Sequence, residues 1–227
     1  MGVLKGSILN RSSHTGEGFK TQRREMIEKW LREHNIKNYT INDDFTIDVN
    51  NYSVSFYNQT LEEFPEYIQF GVVGGYFDCS LCHLISLRGV PRIVDGYFDC
   101  SKNDLTSLEG APKKCHNFYC YSNYLTSLKG SPEIVGSFDC RWNKLTSLEG
   151  APKEILGDFN CLDNQLTSLK GAPKKVGYFD CSYNKLTSLE GVPREVGGFF
   201  RYVSDNVQFT EEDVRKVCKV KGEIMYY

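Results

Sequence analysis

The sequence predicts a solenoid of about eight stacked coils, each giving one short strand to a parallel sheet, with a helix at either end. Three observations carry this. Six of the seven prolines, Pro91, Pro112, Pro132, Pro152, Pro173 and Pro193, recur at steps of 20 or 21 residues, each two positions after a glycine. Six cysteines, Cys79, Cys100, Cys120, Cys140, Cys161 and Cys181, keep the same step. An asparagine stands three residues after five of them: Asn103, Asn123, Asn143, Asn164 and Asn184. A fixed period in this range marks units that bury their apolar side only by stacking.

Within a coil the order F-D-C-S-x-N-x-L-T-S-L-x-G-x-P-x-x-V-G assigns a place to each residue. Phe98 and Cys100 are two apart and so share one side of a strand, the inner one, while Asp99 points outward. Asn103 and its equivalents stand where the chain leaves the strand, and an amide there can both donate to and accept from backbone groups. Leu105, Leu108 and the Val or Ile closing P-x-x-V complete the filling, and the Gly-x-Pro turns use a positive φ and a fixed one. A weaker coil at Val54, Phe56, Leu61, Phe64 and Ile68 precedes the six, and a degenerate one at Phe200, Tyr202, Asp205 and Val207 follows.

The ends are divided as residues 1–53, 54–209 and 210–227. In the first, a Gly-, Ser- and Asn-rich tail over 1–18 leads to an amphipathic helix from Thr21 to His34, with Met26, Ile27, Trp30 and Leu31 at helical spacing. A hairpin around Asn50-Asn51 then joins FTIDV to YSVSFY. The middle segment is the solenoid. In the last, Thr210-Glu-Glu-Asp213 reads as a helix start, Val214, Val217 and Cys218 as its apolar stripe, and GEIMYY as a short strand.

The 27 Lys and Arg against 29 Asp and Glu leave a net charge of −2 without a basic block, which argues against nucleic acid and anionic membrane as partners. No apolar run is long enough to span a bilayer or to serve as a secretion signal, so a cytosolic protein is expected. Cys79-x-x-Cys82-His83 is half of a zinc signature without a second pair, and the cysteine column reads as small buried thiols in a reducing compartment. Cys82 departs by replacing the ladder asparagine. His14, His34, His83 and His116 are scattered, and no nucleophile or phosphate-cradling motif is present. No catalytic residue, metal ligand or cofactor is assigned, and the expectation is a non-enzymatic protein.

Outward strand positions supply the candidate site. Asp78, Asp99, Tyr119, Asp139, Asn160 and Asp180 form a column of like charges, which is not an optimum for folding and reads most simply as a solvated face. The middle coils depart from the internal consensus with His116, Asn117, Tyr119, Tyr121 and Tyr124, then Arg141 and Trp142, then Leu162 and Asp163. Exposed Tyr, Trp and Arg are the composition of binding hot spots. With Asp99, Asp139 and Tyr183 these residues are the predicted partner-binding patch.

The run F-x-C-x-x-N-x-L resembles the core of leucine-rich repeats. The fuller wording F-D-C-S-x-N-x-L-T-S-L-x-G-x-P, over roughly residues 54–207, is similar to repeat proteins of T4-like tailed bacteriophages. It also resembles the repeats of bacterial effector ubiquitin ligases, whose separate catalytic domain has no counterpart in the residues after Thr210. The resemblance implies a leucine-rich repeat solenoid with a concave strand face. It further implies an accessory protein in the cytoplasm of an infected bacterium, binding and inhibiting or sequestering a host protein, defence proteins among them. A small-molecule or nucleotide sponge and a virion-associated solenoid are the other classes to separate from it.

Overall fold

The computed structural model describes residues 16–203 and 209–226. It is a parallel β-solenoid of about eight turns with few helices. The front sheet has nine strands, all parallel, running from Val54–Ser55 through Phe77–Asp78, Phe98–Asp99 and their equivalents to Phe200–Tyr202 and Ile224–Tyr226. Register is kept throughout: Phe77 pairs with Phe98, Phe98 with Phe118, and Phe118 with Phe138. These phenylalanines are almost completely buried and stack from coil to coil, with ring centroids 5.3 Å apart for Phe98 and Phe118 and 5.4 Å for Phe118 and Phe138.

Five of the six P-x-x-V segments form a second, lateral strand where only core filling is expected from the sequence, and the one at residues 112–115 makes a single bridge from Lys114 to Ile93. Ile93–Val94, Ile134–Val135, Glu154–Ile155, Lys175–Val176 and Glu195–Val196 put their second residue into the core and their first outward. Two residues are enough for one ladder contact per coil. The lateral ladder is interrupted: Ile134–Val135 pairs only with Glu154–Ile155, and Lys175–Val176 continues to Glu195–Val196 and Lys219–Val220. On the remaining side, Leu105 and Leu108, with their equivalents, close the core.

The Gly-x-Pro corner needs glycine for a spatial reason as well as a conformational one. Gly150 has φ of 89°, and a Cβ there would lie 2.6 Å from the backbone nitrogen of Lys129 in the preceding coil. Ala151 N–H donates to Leu148 O at 3.0 Å, closing the turn around it.

The asparagine ladder forms as predicted. Asn103 Oδ1 accepts from Cys82 N and Leu84 N, both at 2.9 Å, while its Nδ2 donates to Cys79 O at 2.9 Å and Cys100 O at 3.0 Å. Each asparagine thus joins two coils at a bend where no strand pairing is available. Cys82 takes over part of this role, its thiol donating to Phe56 O at 3.0 Å. All nine cysteines are free and buried. Burial pushes the thiols of Cys79, Cys100, Cys120, Cys140, Cys161 and Cys181 well above their ordinary pKa, and that of Cys115 up to about 12.

The ends differ from expectation in several ways. Helix α1 runs Gly16–Glu33, so it begins before Thr21 and takes in residues 16–18 of the presumed tail. Residues 1–15 lie outside the described residues. Ile27, Trp30 and Leu31 are buried, with Trp30 5.6 Å from Phe56 between ring centroids, whereas Met26 is exposed because it falls off the stripe. The hairpin is one element earlier than predicted: Tyr39–Ile41 pairs antiparallel with Ile47–Val49. Asn50-Asn51 instead turns the chain from lateral to front sheet, with Asn51 at φ 59°.

At the other end, Phe200 and Tyr202 are buried as the degenerate coil requires, while Asp205 and Val207 lie outside the described residues. Helix α2, Glu211–Val217, has the predicted capping box at Thr210 and Asp213. Val214 and Cys218 are buried, but Val217 is exposed, since the chain leaves the helix there for the Lys219–Val220 strand. Ile224–Tyr226 then extends the front sheet, so residues 210–227 hold a further rung and not a helix alone. No described helix is long and apolar enough to cross a membrane.

Candidate functional site

The front sheet's outer face carries the predicted patch, and its acidic column proves to be part of the fold. Asp99 Oδ1 accepts from Ser101 N at 2.9 Å, Asp139 Oδ1 from Arg141 N at 3.1 Å, and Asp180 Oδ1 from Ser182 N at 2.9 Å. A carboxylate that bonds the amide two residues on fixes the bend leaving the strand. The column is therefore not the solvated face that its charge suggested: Asp99 and Asp139 are half-buried and Asp180 is buried. Burial, reinforced by the neighbouring carboxylates, raises Asp99 above its ordinary pKa and Asp139 to about 6, the latter against the opposing pull of Arg141.

Three predicted residues come together next to this column. The Arg141 guanidinium lies 4.9 Å from the Tyr121 ring centroid and 4.7 Å from that of Trp142, and the two rings meet edge to face at 6.2 Å. Arg141 Nε is 3.3 Å from Asp139 Oδ2, an ion pair whose N–H is not directed at the oxygen. Lys102, absent from the predicted patch, approaches Tyr121 from the neighbouring coil at 6.0 Å. The cation thus lies over both rings at the end of the strand, and these contacts reduce the side-chain entropy left to be lost on binding.

Trp142 sits at a position where every coil bends the same way. Leu81, Lys102, Ser122, Trp142, Asp163 and Tyr183 all have φ between 51° and 57°, immediately before the Cys82 or asparagine rung of the ladder. Left-handed backbone is unfavourable for such residues and is held here by the ladder bonds on either side. Tyr183 occupies this place two coils beyond Trp142, about 10 Å along the stack. Asp163 lies between them, and Leu162 extends the Tyr121, Arg141 column.

Other predicted residues are separate from the cluster or have structural employment. Asn117 Oδ1 accepts from Ser137 N at 2.9 Å and its Nδ2 donates to the Tyr119 hydroxyl at 3.1 Å, so it positions Tyr119 and is not a free departure from the consensus. Tyr124 lies beyond the asparagine, under Lys144 at 4.6 Å. His116 stands at the corner between lateral and front strands, its backbone N–H bonded to Gly96 O at 2.8 Å. It is not part of the Tyr121, Arg141, Trp142 group.

An aromatic row not predicted from the sequence runs beside the N-terminal half of the column. Tyr76 and Tyr97 stack with centroids 4.7 Å apart and planes at 3°, and Tyr97 approaches Tyr119 at 6.0 Å. Burial and the charge of Asp78 raise the Tyr97 hydroxyl's pKa. Tyr178 repeats the position, donating to Asp180 Oδ2 at 3.1 Å. The recurrence of tyrosine one residue before the strand phenylalanine was the available signal.

No family model, curated protein or solved structure matches the chain.

Proposed function

We propose that this is a non-enzymatic leucine-rich repeat protein that binds a protein partner through the outer, concave face of its front sheet. The observation that supports it best is the Tyr121, Arg141, Trp142 stack: a large, partly exposed aromatic and guanidinium surface already held in one geometry, with Asp139 beside it. Such anchors supply most of the free energy in protein interfaces. On this reading α1 and the α2 rung act as caps, covering the first and last coils against edge-to-edge association. The similarity of the repeat wording to that of T4-like phages supports the partner's source, a host bacterial protein bound and inhibited or sequestered in the cytoplasm, with defence proteins the first class to test.

The test is affinity capture from infected bacteria with the wild-type chain and a Tyr121→Ala, Trp142→Ala double variant as baits. Each substitution alone should weaken binding by about 2 kcal/mol. A protein held by the wild type and lost by the double variant is the expected result. If every captured protein stays with the double variant, the front face is not the binding site.

A further inference from the structure

The lateral face departs from the internal consensus at two exposed positions. Its outward positions hold Lys114, Glu154, Lys175, Glu195 and Lys219, polar as solvent-facing sites should be, and two isoleucines, of which Ile93 is half-buried and Ile134 is 53% exposed. The second departure is at the corner after the strand, where a 21-residue coil inserts one residue. The coil before Phe98 inserts Asp95, whereas the coil before Phe159 inserts Leu156, which is 77% exposed.

These two side chains stand where the lateral ladder opens. The strands Ile134–Val135 and Glu154–Ile155 pair with each other only; Lys114 bridges back to Ile93, and Lys175–Val176 pairs onward. A groove lies at each break. One, of about 680 Å³, is lined by Pro132, Ile134 and Leu156; the other, also about 680 Å³, by Pro152, Leu156 and Pro173. Leu156 is the ridge between them. Around the rims are five lysines, Lys113, Lys114, Lys153, Lys174 and Lys175, against Glu133 and Glu154. Lys153 is paired with Glu133 at 3.1 Å and Lys175 with Glu195 at 3.5 Å, which leaves a cationic excess opposite in sign to the front face's aspartate column.

We propose that the lateral face is a second docking surface, taking an acidic amphipathic segment of a partner protein. Two large apolar side chains enter the grooves on either side of Leu156, and flanking carboxylates meet Lys113, Lys114 and Lys174. The grooves lie about two rungs apart, roughly 10 Å, which residues i and i+3 of a segment in the polyproline II conformation, three residues per turn at about 3.1 Å each, span on one side. The apolar floors favour such a segment over a phosphodiester chain, which would gain from the lysines alone and leave Leu156 and Ile134 in water.

The test uses the full chain as bait for a library of random dodecapeptides, with affinities of the enriched peptides read by fluorescence polarisation. The comparison protein is the Ile134→Lys, Leu156→Asp variant. It installs residues that other coils already carry at these places, Lys114 and Asp95, so its melting temperature should match the wild type. Enriched peptides should carry two large apolar residues and an excess of Asp and Glu. Their affinity should fall about tenfold or more in the variant and weaken with added sodium chloride, while Tyr121→Ala, Trp142→Ala leaves it unchanged. Basic or neutral peptides, equal affinity for the variant, or no enrichment over the variant would overturn the proposal. So would a wild-type dimer in sedimentation velocity that the variant abolishes, because the occupant would then be a second copy.

Discussion

Replacing Asp139 by asparagine should stabilise the protein at neutral pH, although it removes the partner of Arg141. The Asp139 carboxyl is raised from 3.8 to about 6, so keeping it ionised above that pH costs up to about 3 kcal/mol, at 1.36 kcal/mol for each of roughly two units. The attraction of Arg141 is already inside that net figure, since it opposes the rise. The fold supplies a precedent for the amide: Asn160, the next residue in the same column, accepts from Leu162 N at 3.1 Å just as Asp139 accepts from Arg141 N. An amide is an imperfect stand-in for the neutral carboxyl, since its NH2 is a donor only and must turn from the Arg141 guanidinium, so Asp139→Asn is expected to realise about 1–2 kcal/mol of that ceiling near pH 7.5.

The sign of the pH dependence follows from linkage. Between about pH 4 and 6 the folded chain holds a proton at Asp139 that the unfolded chain has lost, so this group's contribution to stability falls as pH rises through that window. The advantage of the variant should be full above about pH 6 and vanish near pH 4, where both side chains are neutral. Asp99, raised first by burial as well, remains in both proteins, and its repulsion of Asp139, already part of the Asp139 shift, is absent from the variant. Urea unfolding followed by far-ultraviolet circular dichroism at about pH 7.5 and about pH 4 measures it. A variant less stable than wild type near pH 7.5, or a difference equal at both values, would refute the reasoning.

Two further outcomes follow from the core. All nine thiols are buried, so a thiol reagent should modify less than about one equivalent per native chain within minutes and all nine in denaturant; fast modification of the six-cysteine column in the native state would contradict the register. Asn143→Ala should cost about 3 kcal/mol or more in urea unfolding, because Leu125 N, Cys120 O and Cys140 O lose their partner in a buried bend, and a loss under about 1 kcal/mol would show that the ladder is dispensable.

Most of the solenoid was legible because each coil repeats a strict chemical requirement. Phe98 and Cys100 must share a face, Asn103 must satisfy a bend, and Gly110 must bend the chain with φ at 89°. Repetition turns weak local signals into a register. The lateral strands were illegible since two residues such as Glu154–Ile155 are too short to display alternation, and their pairing is visible only once coils are stacked. The misplaced hairpin has a similar cause. YSVSFY alternates like a hairpin arm, but Val54 finds its partner in Phe77 of the next coil and not in the strand before it.

For the candidate site, the departures from the internal consensus located Tyr121, Arg141 and Trp142 correctly as neighbours. The same comparison could not separate them from Asn117, whose departure serves a backbone amide in the following coil. Nor could it reveal that the aspartates act through their own chain. In the four coils that carry an aspartate here its backbone partner lies two residues on, a spacing that reads in the sequence as a simple Asp-Cys-Ser or Asp-Cys-Arg run.

The left-handed position before each ladder rung has an evolutionary consequence. It accommodates Leu81, Lys102, Ser122, Trp142, Asp163 and Tyr183 with one backbone conformation, and the side chain itself is not what holds that conformation. The conformational penalty is smallest for Asn and Asp and largest for β-branched residues, none of which stands at these six positions, and the amide bonds of Asn103 to Asn184 counter it from behind. Each coil therefore works as a fixed socket with an exchangeable fitting. Mutation can retool the face one socket at a time, at a pitch of about 4.8 Å, without renegotiating the core. A lineage pressed to follow a changing partner would find its accessible variants there, and a designer seeking new specificities on this scaffold would begin with the same six positions.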